Sequence, residues 1–410
     1  MEHYDELEIR SHQERTAALI PAIRAQVAHA RAHAPAFAEI LKTVDPEELD
    51  DLSALATVPV TRKSRILALQ QDSPPFGGLV ASGMDAVARV FQSPGPIYEP
   101  EGRQSDYWRF ARALFAAGVR PGDLVHNAFS YHFTPAGAML EGGAAALGCP
   151  VFPAGVGQTE LQARAAAHLH PKAYVGTPSF LSILFDKAEE LELDLSSLAC
   201  ALVSGEALTP AIRDRMAQRG LRVRQAYASA DLGLIAYESI VGQGLICDEG
   251  VFVEIVRPGT DQPVAEGEVG EVVVTTLNLT YPLIRFGTGD LSAVLPGTSP
   301  CGRTNTRIRG WMGRADQSTK VRGLFVHPEQ IAKVLERHPV LVRARLEVTR
   351  TAQGQDELML RCEATGRDQR IATQAADTFR ELCKLRSAVE LVSPGTLPND
   401  GKVIDDRREH

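Results

Sequence analysis

Residues 281–290 read Tyr-Pro-Leu-Ile-Arg-Phe-Gly-Thr-Gly-Asp, a β-rich approach to a tight glycine turn that presents one carboxylate, Asp290. The chain continues through Gly313-Arg-Ala-Asp316 and Lys320-Val-Arg-Gly323 to His327-Pro-Glu-Gln330, which opens a predicted helix. Glycines near a carboxylate let a ligand approach the backbone closely because they lack a Cβ atom. A carboxylate on such a turn can accept two hydrogen bonds from a diol, as an acidic residue does for ribose in other nucleotide sites. The stretch therefore predicts a nucleotide site.

Arg314 adds a second reason to expect a nucleotide, because a guanidinium holds phosphate as a planar fork. Taken one residue at a time, a hairpin turn with a solvated Asp and a surface Arg is the simpler interpretation. The ordered set of motifs favours the nucleotide interpretation.

Composition excludes several classes of function. The chain has 410 residues, 44% hydrophobic and 23% charged, which suits a two-domain globular protein with a substantial core. A net charge of −8 argues against a nucleic-acid partner and against a basic membrane-binding surface. The acidic N-terminus is unlike a secretory signal, and no apolar run is long enough to span a membrane. Six widely spaced cysteines without a CxxC pair fit reduced thiols, so we expect a cytoplasmic protein.

The region from 119 to 226 alternates short apolar strands with helices of about ten residues, which predicts right-handed crossovers and a mostly parallel sheet. Ligands of such sheets bind beyond the carboxyl ends of the strands. That rule selects four stretches, which are 129–134, 175–178, 203–206 and 227–231.

The chain after residue 245 changes to β-rich segments, which predict a β subdomain beside the parallel sheet. We place a domain boundary at Asp316. The expected fold is α/β, with a large N-terminal domain at 1–316 that has mostly parallel sheets plus the β-rich subdomain. A small mobile α+β domain follows at 317–410, and its last loop carries Lys402 after a glycine.

Two earlier segments yield weaker expectations. Residues 87–100 predict a short strand that runs into a loop rich in Pro and Gly, followed by a helix from Asp106 to Ala117. As a phosphate loop this segment is poor because its prolines lack N–H donors, so a rigid turn that lines a pocket is the better interpretation. Before it, Thr61 is expected to cap a helix, with Lys63 in solvent.

Eight fragments in order resemble the adenylate-forming superfamily of acyl-CoA synthetases, adenylation domains and luciferases. They are most similar to its phenylacetate-CoA ligase branch, and the resemblance covers nearly the whole chain. The fragments are AHAPAF, ATVPVTRKS, ALFAAGVRPGDLVHNAFSYHF, ALGCPVFPAGVGQTELQ, SGEAL, EGEVGEVVVTTLNLTYPLIRFGTGDLS, GRADQSTKVRGLFVHPEQI and LPNDGKVIDDR.

The resemblance implies an ATP-dependent carboxylate–CoA ligase that forms an acyl-adenylate and then an acyl-CoA, with ATP, Mg²⁺ and coenzyme A as cofactors. It implies that Lys402 bridges carboxylate and α-phosphate, that Asp231 is catalytic and binds Mg²⁺, and that Asp316 lies at or next to a hinge. The nucleotide contacts it implies are Ser93, Gly95, Ser204, Gly205, Glu206, Ala226, Tyr227, Ala228, Ser229, Asp290, Arg314, Lys320 and Gly323. The acyl pocket would be lined by Phe129, Tyr131, His132 and Phe133, whose aromatic character favours an aryl or arylacetic acid.

Three motifs depart from the pattern of this branch. The phosphate loop is reduced to Gln92-Ser-Pro-Gly-Pro-Ile-Tyr98, which keeps Ser93 and Gly95 but has no threonine or lysine. The motif Tyr-Gly-x-Thr-Glu becomes Tyr227-Ala-Ser-Ala-Asp231, where Ser229 is a candidate for the missing hydroxyl. Near Ser239, only Cys301 matches the ligands of the branch's structural zinc, which argues against zinc here.

These departures leave two other functions open. One is a degenerate homologue that binds acyl-adenylate or CoA without efficient ATP chemistry. The other is an adenylating enzyme that loads a carrier protein. The expected partners are a small carboxylic acid, ATP and CoA, without nucleic acid or membrane, and a homodimer is compatible with the sequence.

Overall fold

The computed structural model describes residues 2–315, 317–322, 324–350, 355–366 and 368–408. Asp316 and Gly323, for which the sequence predicts a hinge and a nucleotide contact, lie outside these residues. The chain divides into two units. The first comprises Met1–Val253, Val274–Thr288 and Leu295–Trp311, and the second Glu254–Val273, Gly289–Val294 and Met312–His410. The predicted domain boundary at 316 remains a prediction.

The helices of the described residues follow the chain in this order: α1 (His12–His33), α2 (Pro35–Ile40), α3 (Lys63–Asp72), α4 (Phe110–Ala117), α5 (Ala136–Ala146), α6 (Thr159–Leu169), α7 (Pro178–Glu190), α8 (Pro210–Gln218), α9 (Pro328–Arg337) and α10 (Gln369–Cys383).

The strands are β1 (Thr61–Arg62), β2 (Val87–Ser93), β3 (Ile97–Gly102), β4 (Val125–Asn127), β5 (Val151–Phe152), β6 (Ala173–Gly176), β7 (Cys200–Val203), β8 (Arg222–Ser229), β9 (Gly233–Tyr237), β10 (Leu245–Cys247), β11 (Val251–Val256), β12 (Gly270–Thr276), β13 (Phe286–Ser292), β14 (Val294–Leu295), β15 (Arg307–Ile308), β16 (Thr319–Val321), β17 (Leu324–Val326), β18 (Leu341–Arg350), β19 (Asp356–Ala364), β20 (Ala388–Val392) and β21 (Ile404–Asp406).

The largest sheet has the order β14-β15-β10-β9-β8-β7-β6-β4-β5, and its strands β5, β4, β6, β7 and β8 are parallel, as predicted. Strands β6 and β7 are fully buried because helices cover both faces, which explains their uninterrupted apolar sequences. On one face Val175 and Leu202 pack in a core cluster with residues of α4 and α5. On the other, Tyr174 and Ala201 pack in a cluster with residues of α6, α7 and α8.

Two helices of this sheet begin at Thr-Pro pairs. The Thr177 hydroxyl accepts a hydrogen bond from the Phe180 N–H, and the Thr209 hydroxyl accepts one from the Ile212 N–H, each 3.3 Å long. A proline in the first turn costs no hydrogen bond because that turn has no intrahelical acceptor for its N–H.

The structure corrects two predicted segments. Residues 97–102 are not loop but strand β3, which pairs with β2 in an antiparallel hairpin. Helix α4 begins at Phe110 rather than Asp106, because the Asp106 carboxylate accepts the N–H groups of Phe110 and Ala111 at 2.8 and 3.0 Å. Asp106 therefore precedes the helix and caps its first N–H groups, as a capping residue does.

Within the second unit, a sheet of order β20-β19-β18-β21 packs against α9 and α10. Strands β18 and β19 are antiparallel, whereas β21 lies parallel to β18 and β20 parallel to β19. Buried residues such as Leu346, Leu360 and Phe379 form the core of this α+β sheet. The parallel pairing of β21 positions the residues that follow Lys402.

Among the described residues, no helix combines the length and apolar character that crossing a membrane would require. Each of the six cysteines lies in the described part of the chain, is buried and is free.

Candidate active site

The carboxyl ends of β4, β6 and β7 bring together three of the predicted stretches. The Ala128 N–H donates to the Val175 carbonyl at 2.8 Å, and the Ser204 N–H donates to the Gly176 carbonyl at 3.2 Å. A Cβ atom added at Gly205 would lie 3.8 Å from Thr177 and 4.0 Å from the Phe129 ring. The stretches that begin at Phe129, Val175 and Val203 therefore line one edge of the sheet, as the strand order requires.

The predicted adenine segment is held by hydrogen bonds to its neighbours. The Ser204 hydroxyl donates to the Ala226 carbonyl at 2.8 Å, which ties β7 to β8. Gly205 has φ +81°, a conformation that glycine adopts without strain. The exposed Glu206 accepts the Ser179 N–H at 3.3 Å, at the start of α7. This segment is thus fixed in place while its edge stays open to solvent.

Tyr227, Ala228 and Ser229 lie within β8, which continues to Ser229 before it turns back into β9. The predicted loop 227–231 therefore begins as strand. The Tyr227 hydroxyl lies 3.2 Å from the Thr288 hydroxyl, and Thr288 precedes Asp290 by two residues in β13. The Ser229 hydroxyl accepts the Leu232 N–H at 3.2 Å, so this candidate for the missing hydroxyl of the motif stabilises its own turn.

The four residues predicted to line the acyl pocket differ in exposure. Phe129 is buried, Tyr131 is partly buried, and His132 and Phe133 are exposed, Phe133 to 74%. The Tyr131 hydroxyl accepts the Asn127 amide at 2.8 Å. Burial, and then the neighbouring Glu141, raise the pKa of Tyr131 well above its ordinary value. The hydrogen-bonded pair of Asn127 and Tyr131 thus adds polar groups beside the aromatic residues of this stretch.

The shortened phosphate loop is the turn of the β2–β3 hairpin. Ser93 pairs with Ile97, so only residues 94–96 connect the two strands. The Ser93 hydroxyl donates to the buried Glu99 carboxylate, and the loop's one hydroxyl is thus engaged within the hairpin. The Gln92 N–H donates to the Phe133 carbonyl at 2.9 Å, which joins the hairpin to the stretch 129–134.

Lys63 and Asp231 form an ion pair beside this hairpin. The Lys63 Nζ lies 3.0 Å from Asp231 Oδ2, and the Asp231 side chain is 1% exposed. Lys63 is partly exposed, as expected, but it also has an ion-pair partner that the sequence does not predict. The assignment of Thr61 as a helix cap is wrong, because Thr61 lies in β1 and Arg62 precedes α3. Sequence reasoning missed Lys63 because its partner lies 168 residues away.

Glu99 faces the same ion pair. Burial is the main cause that raises the pKa of Glu99 to about 8, and the charge of Asp231 raises it further, against the Ser93 hydroxyl and Lys63. Burial and the charges of Asp231 and Glu99 also raise the pKa of Tyr281 well above its ordinary value. Two carboxyl groups thus lie in one buried environment, and burial favours the protonated form of Glu99.

Asp231 has one carboxylate oxygen that is available to bind a metal ion. Its Oδ1 is buried and has no hydrogen-bond partner in the described part of the chain, although Oδ2 pairs with Lys63. The described residues contain no group of three or more His, Cys, Asp or Glu side chains that could hold a metal ion by themselves. Oxygen ligands from a nucleotide and water would therefore complete any coordination sphere of a Mg²⁺ ion at Asp231.

Asp290 and Arg314 meet in the second unit. They form an isolated antiparallel bridge through their backbones, and Arg314 Nη1 lies 3.0 Å from Asp290 Oδ1. Gly289 has φ +73°, and a Cβ atom there would lie 2.6 Å from the Arg314 guanidinium. A side chain at position 289 would therefore displace the guanidinium of Arg314, whose side chain is half exposed.

The loop that carries Lys402 also lies in the second unit. Lys402 Nζ lies 3.2 Å from Asp405, and the lysine side chain is 51% exposed. Burial raises the pKa of Asp405, but hydrogen bonds from Arg345, Arg407 and Lys402 outweigh it and lower the pKa to about 2. Lys402 is thus held by a carboxylate that stays ionised at neutral pH, with much of the side chain open to solvent.

Lys320 lies on β16, with its Nζ 5.7 Å from the centre of the Phe325 ring. Gly323, which follows it, is outside the described residues.

The region near Ser239 and Cys301, for which the resemblance raised the question of a zinc site, contains a hydrogen-bond network. Arg303 donates to the Ser239 hydroxyl at 3.0 Å and pairs with Glu8 at the same distance. The Cys301 sulfur lies 3.0 Å from the Ser299 hydroxyl. Burial raises the pKa of Cys301, but hydrogen bonds from Ser239, Ser299 and Arg303 outweigh it and lower the pKa overall. An arginine therefore supplies the positive charge in this network.

Comparisons with known proteins agree with this fold. A family described as AMP-binding enzyme matches residues 117–281. A phenylacetate-coenzyme A ligase from Thermus thermophilus is 33% identical over 344 residues, which are 78% of this chain and 75% of that protein. The chain belongs to the phenylacetate-CoA ligase family. The phenylacetate-coenzyme A ligase from Escherichia coli is 30% identical over 386 residues, which cover 88% of this chain and 86% of that protein.

Solved structures extend the likeness to both units. A 2-hydroxyisobutyryl-CoA ligase in the postadenylation state has a TM-score of 0.73 at 26% identity, over 98% of this chain and 91% of that chain. The same ligase in complex with 2-HIB-AMP and CoA in the thioesterification state has a TM-score of 0.71 at 27% identity, over 98% of this chain and 92% of that chain. As a member of the phenylacetate-CoA ligase family, the chain is an AMP-forming acid–thiol ligase.

Proposed function

We propose that this phenylacetate-CoA ligase family member activates an aryl or arylacetic acid with ATP and transfers the acyl group to coenzyme A. In the first step a carboxylate oxygen attacks the α-phosphorus of ATP, the bond to the β-phosphate oxygen breaks, and pyrophosphate leaves. In the second step the thiol of CoA loses its proton to solvent and attacks the acyl carbon, and AMP leaves with its phosphate oxygen. The relatives named phenylacetate-coenzyme A ligase support the choice of acid.

The site residues receive the following roles in this proposal. In the first unit, the edge that contains Gly205, Glu206 and Tyr227 binds adenine, and the stretch from Phe129 to Phe133 contacts the acyl group. In the second unit, Asp290 binds the ribose diol and Arg314 the ribose and α-phosphate. Lys402 supplies the positive charge for the pentavalent phosphorus of the first step, because an ammonium group stabilises the charge that develops there.

The observation that carries the proposal lies within the second unit. One amide nitrogen, Nε2 of Gln317, donates to the Arg314 carbonyl at 3.0 Å and to the Gly401 carbonyl at 3.1 Å. The segment with the proposed nucleotide ligands and the loop with the proposed catalytic lysine are therefore joined through one side chain. This proximity supports a common role for Asp290, Arg314 and Lys402 in adenylation.

Mg²⁺ remains a proposal that rests on Asp231. The Oδ1 of Asp231 has no hydrogen-bond partner among the described residues and would be the protein's oxygen ligand for a Mg²⁺ ion. When bound, the ion would neutralise charge on the phosphates of ATP. We also propose a cytoplasmic location, which the six buried free thiols support.

The hairpin at 93–99 favours a second candidate function. Its turn has only three residues, and its one hydroxyl bonds to Glu99, so little of it remains to bind the β- and γ-phosphates. A homologue that binds acyl-adenylate or CoA without efficient ATP chemistry is consistent with that geometry. The exposed Lys402 argues for the ligase, because a binding protein has no need of that ammonium group.

A panel of aryl, arylacetic and short hydroxy acids, assayed for acid- and CoA-dependent AMP release, separates these functions. The ligase produces AMP, pyrophosphate and acyl-CoA with at least one acid, and Lys402→Ala lowers the rate of adenylation by about 10² or more. The control is Lys333→Ala, an exposed lysine on α9. Calorimetric binding of acyl-adenylate without turnover of any acid would support the second candidate. Transfer to a phosphopantetheinyl protein but not to CoA would instead indicate carrier loading.

A further inference from the structure

Gln317 holds both sides of the loop that carries Lys402. Its Nε2 donates to the Gly401 carbonyl at 3.1 Å, before the lysine. Its Oε1 accepts the N–H of Val403 at 2.7 Å and the N–H of Ile404 at 3.0 Å, after the lysine. Lys402 therefore projects from a short arc of backbone that one side chain bridges.

The same amide reaches back to the nucleotide segment. Nε2 donates its second proton to the Arg314 carbonyl at 3.0 Å. A glutamine side chain has two N–H donors and two acceptor sites on its oxygen, so Gln317 uses its whole hydrogen-bonding capacity on backbone groups. No other amino acid supplies two donors and two acceptors at that length, which makes the site specific for glutamine.

Other contacts hold this loop against the β segment of the same unit. Asn399 accepts the Val269 N–H at 2.9 Å and donates to the Gly267 carbonyl at 3.1 Å. Gly401 has φ +72°, and a Cβ atom there would lie 2.7 Å from Val269. The backbone beside Lys402 is therefore fixed by neighbours rather than by secondary structure of its own, since β21 begins only at Ile404.

We propose that Gln317 is a positioning residue that sets the location of Lys402 for adenylation. This inference rests on the proposed function, because it assigns Gln317 a role only through Lys402. Within the loop, the Lys402 N–H donates to Asp400 Oδ1 at 3.0 Å, and Gln317 adds three hydrogen bonds to residues on either side of the lysine. A charged group must be held within a fraction of an ångström of the reacting atoms to stabilise them fully. The bond to Arg314 relates that location to the segment that binds the nucleotide.

Gln317 lies beside the predicted hinge, so its hydrogen bonds can be sorted by the side of the hinge on which each partner lies. It follows Asp316 directly, a residue predicted to lie at or next to the hinge, and Asp316 itself lies outside the described residues. Of the four hydrogen bonds, the three to Gly401, Val403 and Ile404 join residues on one side of that position. The fourth, to Arg314, crosses it. Gln317 therefore holds the loop around Lys402 by three hydrogen bonds, and one further hydrogen bond links it to Arg314 on the other side of position 316.

The test compares the two half-reactions in Gln317→Met, which keeps the side-chain length and removes all four hydrogen bonds. We expect acid-dependent exchange of pyrophosphate into ATP to fall about tenfold or more in kcat, with the KM for ATP changed less than about threefold. Formation of acyl-CoA from preformed acyl-adenylate and CoA should stay within about twofold of the wild type, because the role proposed for Lys402 is confined to the first step. Gln317→Glu keeps the acceptor for Val403 and Ile404. Its rate of pyrophosphate exchange should therefore lie between those of the wild type and Gln317→Met. The matched control is Gln374→Met, an exposed glutamine on α10.

Amide hydrogen exchange gives a readout that does not depend on ligase activity. In Gln317→Met the amides of Val403 and Ile404 should exchange faster, whereas those in the middle of β18 should not change. Equal loss of both half-reactions, or unchanged adenylation together with faster exchange at 403 and 404, would overturn the proposal. A wild-type protein that exchanges no pyrophosphate with any acid would instead refute the proposed function and leave the hydrogen-exchange result to report on the loop alone.

Discussion

Lys63 Nζ lies 3.0 Å from Asp231 Oδ2, and this ion pair joins the start of α3 to the turn between β8 and β9. The carboxylate is buried, whereas the lysine side chain is 39% exposed. The two partners therefore differ in what their removal costs. Loss of the lysine leaves a charge inside the protein, while loss of the carboxylate leaves an ammonium group that water can reach.

Lys63→Met should lower the free energy of unfolding by about 1–3 kcal/mol, because it leaves the buried Asp231 carboxylate without its cation. Urea denaturation of the full chain measures this difference. Adding Asp231→Asn to Lys63→Met should recover part of the loss, since the amide carries no charge. Lys42→Met removes an exposed pair with Glu39 and should change the stability by less than about 0.5 kcal/mol. Equal effects at positions 63 and 42 would show that the Lys63 pair is not a buried interaction.

Glu99→Gln should stabilise the protein increasingly as the pH rises. A carboxyl group whose pKa rises from 4.5 to about 8 on folding binds its proton more tightly in the folded state. Its contribution to stability is complete below the unfolded pKa and decreases as the pH rises through the window between the two values. Glutamine has no proton to lose, so the melting temperature of the variant should exceed that of the wild type by more at pH 8 than at pH 5. A constant difference across this range would show that Glu99 does not titrate there.

Gly289→Ala should weaken nucleotide binding, because a Cβ atom at this position would lie 2.6 Å from the Arg314 guanidinium. We expect the KM for ATP and the dissociation constant of AMP to rise about tenfold as Arg314 is displaced from Asp290. Gly297→Ala is the matched control, since Gly297 has a similar φ of +74° with nothing within 4 Å of the added atom. It shares the backbone strain without the clash. Equal losses of AMP affinity in both variants would assign the effect to strain alone.

Tyr131→Phe should change the use of the acid substrate and not that of ATP. The hydroxyl accepts the Asn127 amide at 2.8 Å, so its removal leaves a buried donor without its partner beside the acyl stretch. We expect the KM for the acid to rise about three- to tenfold, with the KM for ATP unchanged. Tyr98→Phe, on the exposed side of the β2–β3 hairpin, is the control. A parallel rise of both KM values would place Tyr131 outside the acyl pocket.

The local pattern of apolar residues predicted most of the helices and strands between 119 and 226. The order of strands and helices between 119 and 226 follows from alternating apolar runs and Thr-Pro helix starts, and the parallel sheet follows from that order. The strand pair at 341–364 is equally visible as two β-rich runs. Strand β3 was not predicted because Pro100 and Gly102 are unfavourable in a strand, but the hairpin with β2 overrides that preference.

The sequence by itself determined the family and the α/β architecture, because both depend on motifs whose residues are neighbours in the chain. From the same motifs it predicts roles for Asp290, Arg314 and Lys402, which remain proposals. Tertiary structure alone decided the partners of Lys63, Glu99 and Gln317. Their contacts join residues far apart in sequence, such as Lys63 with Asp231 or Gln317 with Val403. No local pattern encodes such pairs, since burial and hydrogen-bond geometry arise only when the elements pack together.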